Sequence, residues 1–290
     1  MIWQLSLAGL LVGVLVGMTG MGGGSLMTPI LILLFGFDAK VAVGTDILHG
    51  AVFKSFGAAR HRMLGTVHAR LALWMFVGSA PCSLIGVQIA SGFGDDTDSR
   101  MSRIVGAALI LGGAGFVAKT FVAPRDYNGL GRLDLRQKLL AVAIGASCGF
   151  VVGLTSVGSG TFFGLAMLLV FPLSAVAIVG TDIFHAAALL WVAGLGHLAH
   201  GNVDLHAMAW LLVGSIPGVL LGSQMSIRIP DRALRLAFSV VLVLSGIKLV
   251  GVPQATLIIV VALACSSVAL AVYAGRQLLR RAHTPQTQID

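Results

Sequence analysis

The chain has 290 residues, of which 57% are hydrophobic and only 10% charged, with a mean hydropathy of +0.96. A soluble domain carries about 25% charged residues, so the composition excludes an ordinary water-soluble protein and points to an integral membrane protein. The net charge of +8 does not signal nucleic-acid binding, because the Arg and Lys residues sit in short loops without an aromatic-basic patch.

Taken in chain order, apolar runs near the ~20 residues that span a bilayer recur from end to end. The opening MIWQLSLAGLL lacks a basic n-region and an A-x-A cleavage site, so it reads as retained. Hydropathy and Gly/Pro punctuation predict helical segments over 5–36 (broken at 18–25), 40–60, 69–91 and 101–122. After a polar stretch, 123–136, they predict 137–172 (broken at 154–161), 175–199, 205–226 and 232–250. A last helix is expected over 254–276. Cys82, Cys148 and Cys265 all lie in apolar segments without paired spacing, so neither a disulfide framework nor a metal site is expected, and no cofactor is implied.

Sliding the chain by 136 residues superposes it on itself. Gly17-x-Thr19-x-x-Gly22-x-Gly24 meets Gly153-x-Thr155-x-x-Gly158-x-Gly160, and VGTDILH (43–49) meets VGTDIFH (179–185). Trp74, VGSAP (77–81), Gly86 and Gln88 meet Trp210, VGSIP (213–217), Gly222 and Gln224. Between Gly13 and Gln88 about a third of positions are identical to their mates. This is a duplication, and in a membrane protein an internal repeat points to a transporter architecture.

Basic residues cluster at Arg60/Arg62/Arg70, at Lys119/Arg125/Arg132/Arg136/Lys138, at Arg228/Arg232/Arg235 and at Arg276/Arg280/Arg281. All four clusters fall on the cytoplasmic side only if 5–36 and 137–172 each make an even number of crossings. Each is long for one span and short for two, so each is expected to be a re-entrant hairpin of half-helices. The expectation is therefore an all-α membrane protein of two inverted-topology repeats. Residues 1–122 form repeat one, 123–136 a cytoplasmic linker and 137–250 repeat two; 251–290 hold the final transmembrane helix and a cytoplasmic tail. The N-terminus falls outside and the C-terminus inside.

Gly22-Gly23-Gly24-Ser25 and Gly158-Ser159-Gly160-Thr161 each precede a new apolar run. Glycine lets backbone approach a ligand, and a following half-helix offers N–H donors with a partial positive charge. Unwound backbone at membrane depth must be buried in protein or line a cavity, so both breaks are anion-site candidates; tight helix packing alone is the plainer alternative. Asp46 and His49, like Asp182 and His185, stand at i, i+3 on one helix face. Ionisable groups at such depth are functional by default. Each pair either carries a proton or braces a glycine break. Lys54, matched by Leu190, either snorkels toward Arg60/Arg62 or supplies a counter-charge. His61 and His197 gate or cap helix ends, while Gln88 and Gln224 suit an oxyanion or an interhelical bond. Trp74 and Trp210 read as interfacial anchors, and mid-helix Trp191 as a cavity-shaping residue.

A Gly-rich break (MGGGS), an apolar run and a Gly-Thr motif on the next helix, all repeated, resemble the sulfite exporter TauE/SafE family, also called the 4-toluene sulfonate uptake permeases. The resemblance covers about residues 5–250. It implies a bacterial inner-membrane transporter for sulfur-containing anions such as sulfite or sulfonates, with ligand contacts at Gly22–Ser25, Gly158–Thr161, Thr45 and Thr181. Asp46 and Asp182 stand where the family commonly has a small hydroxyl residue. That departure favours a zwitterionic amino-sulfonate or amino-sulfinate over a bare dianion, its ammonium facing the carboxylates. Two other readings compete. An anion channel would also use inverted repeats and broken helices. An intramembrane serine hydrolase would pair Ser159 with His185 or His197, although nothing in catalysis requires the rest of the pattern to be written twice; an enzyme is not expected.

Overall fold

The computed structural model describes residues 2–19, 24–92, 97–122, 131, 133–225, 231–257 and 259. Among them are ten helices and no strand: α1 (Ile2–Thr19), α2 (Gly24–Phe35), α3 (Ala39–Met63), α4 (Ala69–Ser91), α5 (Thr97–Phe121), α6 (Leu135–Thr155), α7 (Phe162–Val170), α8 (Ala175–Ala199), α9 (Leu205–Met225) and α10 (Asp231–Val250). The boundaries expected from Gly/Pro punctuation hold to within a few residues. The second glycine-rich break ends a helix: α6 stops at Thr155 and α7 resumes at Phe162; at the first, α1 is described as far as Thr19 and α2 from Gly24. Residues 20–23, including Gly22 and Gly23, lie outside the described residues, as do residues 123–130 of the expected linker. Residues 251–290 form a separate unit, in which 255–257 are helical; most of the expected last helix lies outside the described residues.

Among the described residues five helices are long and apolar enough to cross a membrane: α4, α5 over Asp98–Phe121, α6, α8 and α9 over Leu205–Gly222. The distribution of polarity agrees. Leu73, Val77, Leu84, Ile85, Leu111, Val213, Leu220 and Leu221 are exposed, whereas Asp46, His49, Lys54, Lys119, Asp182 and His185 are buried. A protein surrounded by water would reverse that arrangement.

In an apolar solvent, burial of more apolar surface does little to bring helices together, so close backbone approach has to do so. Glycine seams supply it. A Cβ on Gly9 would stand 2.3 Å from the Leu211 carbonyl oxygen of α9, and one on Gly145 would stand 2.1 Å from that of Met75 on α4. Gly13 meets Ser215 as Gly149 meets Ser79, and Gly214 meets Ser6 as Gly78 meets Val142. Each contact has its counterpart 136 residues away. Along these seams α1 and α9 run parallel, as do α4 and α6. By contrast Gly50 lies against Leu190, Gly57 against Ile183 and Gly194 against Leu48, so α3 and α8, which are repeat mates, run antiparallel. Helices α5 and α10 also run antiparallel, with Gly106 against Gly246 and Ser239 Oγ donating to the Gly113 carbonyl (2.9 Å).

The hairpin links repeat the same pairing. Thr45 Oγ1 accepts from the Asp204 N–H and Thr181 Oγ1 from the His68 N–H, each at 2.9 Å. Asp204 and His68 in turn cap α9 and α4 through the Ala207 and Leu71 N–H groups. Links 36–38 and 171–174 each reverse the chain, so that α2 folds back on α3 and α7 on α8.

Candidate functional site

The site assembles where the second break lies along α3. Helix α6 ends on Ser156, whose φ of 62° is left-handed. Gly158 (φ 137°) and Gly160 (φ 89°) then turn the chain through conformations that L side chains rarely adopt. The Phe162 and Phe163 N–H groups both donate to the Gly158 carbonyl, so part of the donor set expected at this break is used within it. The hydroxyls point outward from the turn. Ser156 Oγ donates to Asp46 Oδ2 (2.8 Å), which also accepts from Thr28 Oγ1 of α2 (2.6 Å). Two helical turns along α3, about 12 Å at 1.5 Å per residue, Lys54 Nζ donates to Ser159 Oγ.

Lys54 is 3% exposed and does not snorkel; its ammonium lies within electrostatic reach of both Asp182 and Asp46. The face of α3 that meets the break decides this, and distance along the chain to Arg60 and Arg62 says nothing of it. Lys119 also departs from expectation. Counted by sequence among the cytoplasmic cations, it is buried at 7% exposure near the end of α5. Its Nζ donates to the Gly160 carbonyl (3.5 Å). Asp182 senses Lys119 and Lys54 and receives the Gly160 N–H. Four buried charges of zero sum therefore surround one glycine turn. Buried charges persist when paired, and the polar atoms left over are informative: Asp46 Oδ1, Asp182 Oδ1 and Thr161 Oγ1 have no hydrogen-bond partner.

His49 and His185 do not bond to the aspartates three residues before them. His49 Nε2 pairs with Ser215 Oγ (2.8 Å) and His185 Nε2 with Ser79 Oγ (2.9 Å), while both Nδ1 atoms lack a partner. His185 also packs on Phe163, ring centroids 4.5 Å apart. Ser79 and Ser215 were absent from the sequence-derived site, although they stand in the duplicated VGSAP and VGSIP. Each bond joins a helix of one half to a helix of the other. Ser79→Ala and Ser215→Ala are each expected to lower stability by about 1–2 kcal/mol by leaving a buried imidazole nitrogen unsatisfied. Thermal melts in mild detergent should show shifts of similar size; a shift in one variant alone would mean that the two bonds are not equivalent.

The remaining predicted residues fall as follows. Ser25 is buried; Gly24 opens α2. Thr45 and Thr181 serve the helix links described above. His61 Nδ1 bonds Thr66 Oγ1 (2.9 Å) just past the end of α3, a capping role. His197 Nε2 bonds the Gly153 carbonyl (2.8 Å) beside the break. Gln88 is exposed and bonds His200 (3.2 Å), away from the cluster, and the Gln224 side chain lies outside the described residues. Trp191 is 40% exposed and donates to Ser55 Oγ, its own repeat mate. Ser159 bonds Lys54, whereas His185 and His197 bond elsewhere, so the Ser–His pair that the hydrolase alternative requires is not formed. Among the described residues no group of His, Cys, Asp or Glu could hold a metal ion.

Known proteins are similar in sequence over most of the chain. The probable membrane transporter protein YjnA of Bacillus subtilis is 38% identical over 249 residues, covering 84% of this chain and 98% of that protein. YdhB of the same organism, also a probable membrane transporter protein, is 24% identical over 239 residues, covering 82% and 96%. A probable membrane transporter protein of Xylella fastidiosa is 24% identical over 227 residues, covering 77% and 84%. No solved structure matches the chain. The sulfite exporter TauE/SafE family matches residues 5–249, which takes in both breaks and every residue of the charged cluster, and the chain belongs to that family.

Proposed function

We propose that the protein is a secondary transporter that carries a small sulfur-containing anion across the bacterial inner membrane by alternating access. The observation that carries this reading is the cluster of Asp46, Lys54, Lys119 and Asp182 around the glycine turn at 158–161, inside an apolar helix bundle. Such a cluster stabilises a fold poorly and marks a pathway for charged cargo. The two halves are read as inverted repeats, supported by the antiparallel register of the mates α3 and α8 and by the paired contacts 136 residues apart. The N-terminus then lies outside and residues 251–290 on the cytoplasmic side, supported by the basic loops. The α1–α2 and α6–α7 segments are read as re-entrant hairpins.

The charge balance bears on coupling. With two ammonium and two carboxylate groups, the empty cluster is neutral, and a monoanion entering alone would leave a buried net charge. A proton taken by Asp182 removes it. Asp182 faces Lys54 from α3, Lys119 from α5 and the Cys148 thiol from α6, with His185 one turn along α8. This assigns the proton to a carboxylate in place of an Asp–His relay. Because the carboxylates are already balanced by lysines, a simple sulfite or sulfonate fits without an amine. The amino-sulfonate remains the second reading, favoured by the unpartnered Asp46 Oδ1, which suits an ammonium donor.

The test is flux into proteoliposomes of labelled sulfite, taurine and an amine-free alkyl sulfonate. Saturable flux that follows an imposed pH gradient is expected, with Asp182→Asn uncoupling flux from the gradient. Unsaturated conductance indifferent to pH would establish a channel in its place.

A further inference from the structure

The fold and its two aspartates are duplicated but its lysines are not. Lys54 has Leu190 as its mate, Ser156 has Gly20 and Ser159 has Gly23. Both buried lysines belong to the first half, and both direct their ammonium groups onto the break of the second half: Lys54 onto Ser159 Oγ and Lys119 onto the Gly160 carbonyl. Thr161 adds a hydroxyl, 1% exposed and without a partner, at the same turn. Gly164, one turn into α7, leaves the space in which the Lys119 head sits. A Cβ there would stand 2.6 Å from Lys119 Nζ and 3.9 Å from Asp182 Oδ2.

Resting on the anion-transport reading, we propose that the two breaks are functionally unequal. The cargo's acid group is held at 158–161 by a clamp of Lys54 and Lys119, with Ser159 and Thr161 as hydroxyl donors, and Asp182 is the internal carboxylate it displaces. Two ammonium groups with two hydroxyls suit a compact oxyanion with several acceptor oxygens, such as sulfite or a sulfonate head group. The carboxylate already beside Lys119 shows the geometry to be one that accepts an anion, and it competes with the cargo for the same cations. The first break, for which the repeat offers Leu190 in place of Lys54, supplies packing and movement.

Binding in detergent, measured by calorimetry with sulfite, an alkyl sulfonate, nitrate and formate, tests the clamp. Gly164→Ala is the sharpest variant, because the new methyl meets the far end of a flexible side chain and not backbone. It should move the ammonium, leave the melting temperature close to wild type and weaken anion binding at least about tenfold. Asp182→Asn should tighten binding by removing the competitor. The neutral pair Lys119→Met with Asp182→Asn should fold and lose binding by about tenfold or more relative to wild type. Wild-type affinity in both Gly164→Ala and the neutral pair would overturn the clamp. If nitrate and formate bind with this lysine dependence but no sulfur oxyanion does, the clamp stands and the sulfur reading falls. If wild type binds none of the four, both fall.

Discussion

Gly214→Ala is expected to prevent the protein from reaching its folded state, although it adds a single methyl group. That methyl would lie 1.8 Å from the Ser6 carbonyl oxygen and 2.7 Å from the Leu10 nitrogen. Both atoms are helix backbone, so no side chain can swing aside; α1 and α9 must separate along the whole seam. Overpacking a core side chain costs about 1–3 kcal/mol, and a backbone collision of this depth should exceed about 3 kcal/mol. The mate, Gly78→Ala, places its methyl 2.1 Å from the Val142 carbonyl oxygen and should fail in the same way. Gly115→Ala is the control. Its nearest neighbour is Leu165 Cδ2 at 3.7 Å, and it should fold normally. Size-exclusion profiles of fluorescently tagged variants separate these outcomes; a monodisperse Gly214→Ala peak of wild-type height would show that the seam is looser than its contacts indicate.

The second large effect is expected from Lys54→Met. Removing this ammonium leaves Asp46 without a counter-charge and Asp182 facing Lys119 alone, and strips Ser159 of its donor. Breaking a buried ion pair from one side costs about 3–5 kcal/mol, whereas removing both partners is often close to neutral. Lys54→Met should therefore lower stability by that amount, and adding Asp46→Asn should recover most of it. Asp182→Asn should recover less, because Asp182 keeps Lys119 and the Gly160 N–H, and removing it leaves Lys119 unbalanced. None of these variants should transport. A double-mutant cycle read by thermal unfolding gives the coupling; simple additivity would remove Lys54 from the cluster.

Much of this architecture was legible along the chain, because Gly and Pro punctuation and spans of apolar residues are local signals. The break at 154–161, the helix limits and the duplication all belong to that kind. The site was legible only in part. Asp46, Lys54, Ser159 and Asp182 stood out as polar residues in apolar surroundings. Their partners did not, since these are chosen by packing between separate segments: Ser156 lies 110 residues from Asp46 and Ser159 lies 105 from Lys54. Asp46 and His49 share a face of α3, which suggested a proton pair, yet α9 supplies the serine that His49 bonds. Thr45 and Thr181 looked like ligand contacts because they adjoin the aspartates; the backbone amides that occupy them lie 159 and 113 residues away. Lys119 was hidden by position. Two residues from the end of α5, it resembles any juxtamembrane cation until α5 is seen against the second break.

The glycine seams also govern how the chain can be made. Every extensive pairing, α1 with α9, α4 with α6, α3 with α8 and α5 with α10, joins one half to the other. Gly9 meets Leu211 only after some two hundred further residues have left the ribosome, a wait of about 10–40 s at 5–20 residues per second. Neither half is a self-sufficient body that could mature first. A single-copy ancestor with this geometry would have been an intertwined dimer, each subunit lending its first helix to the other.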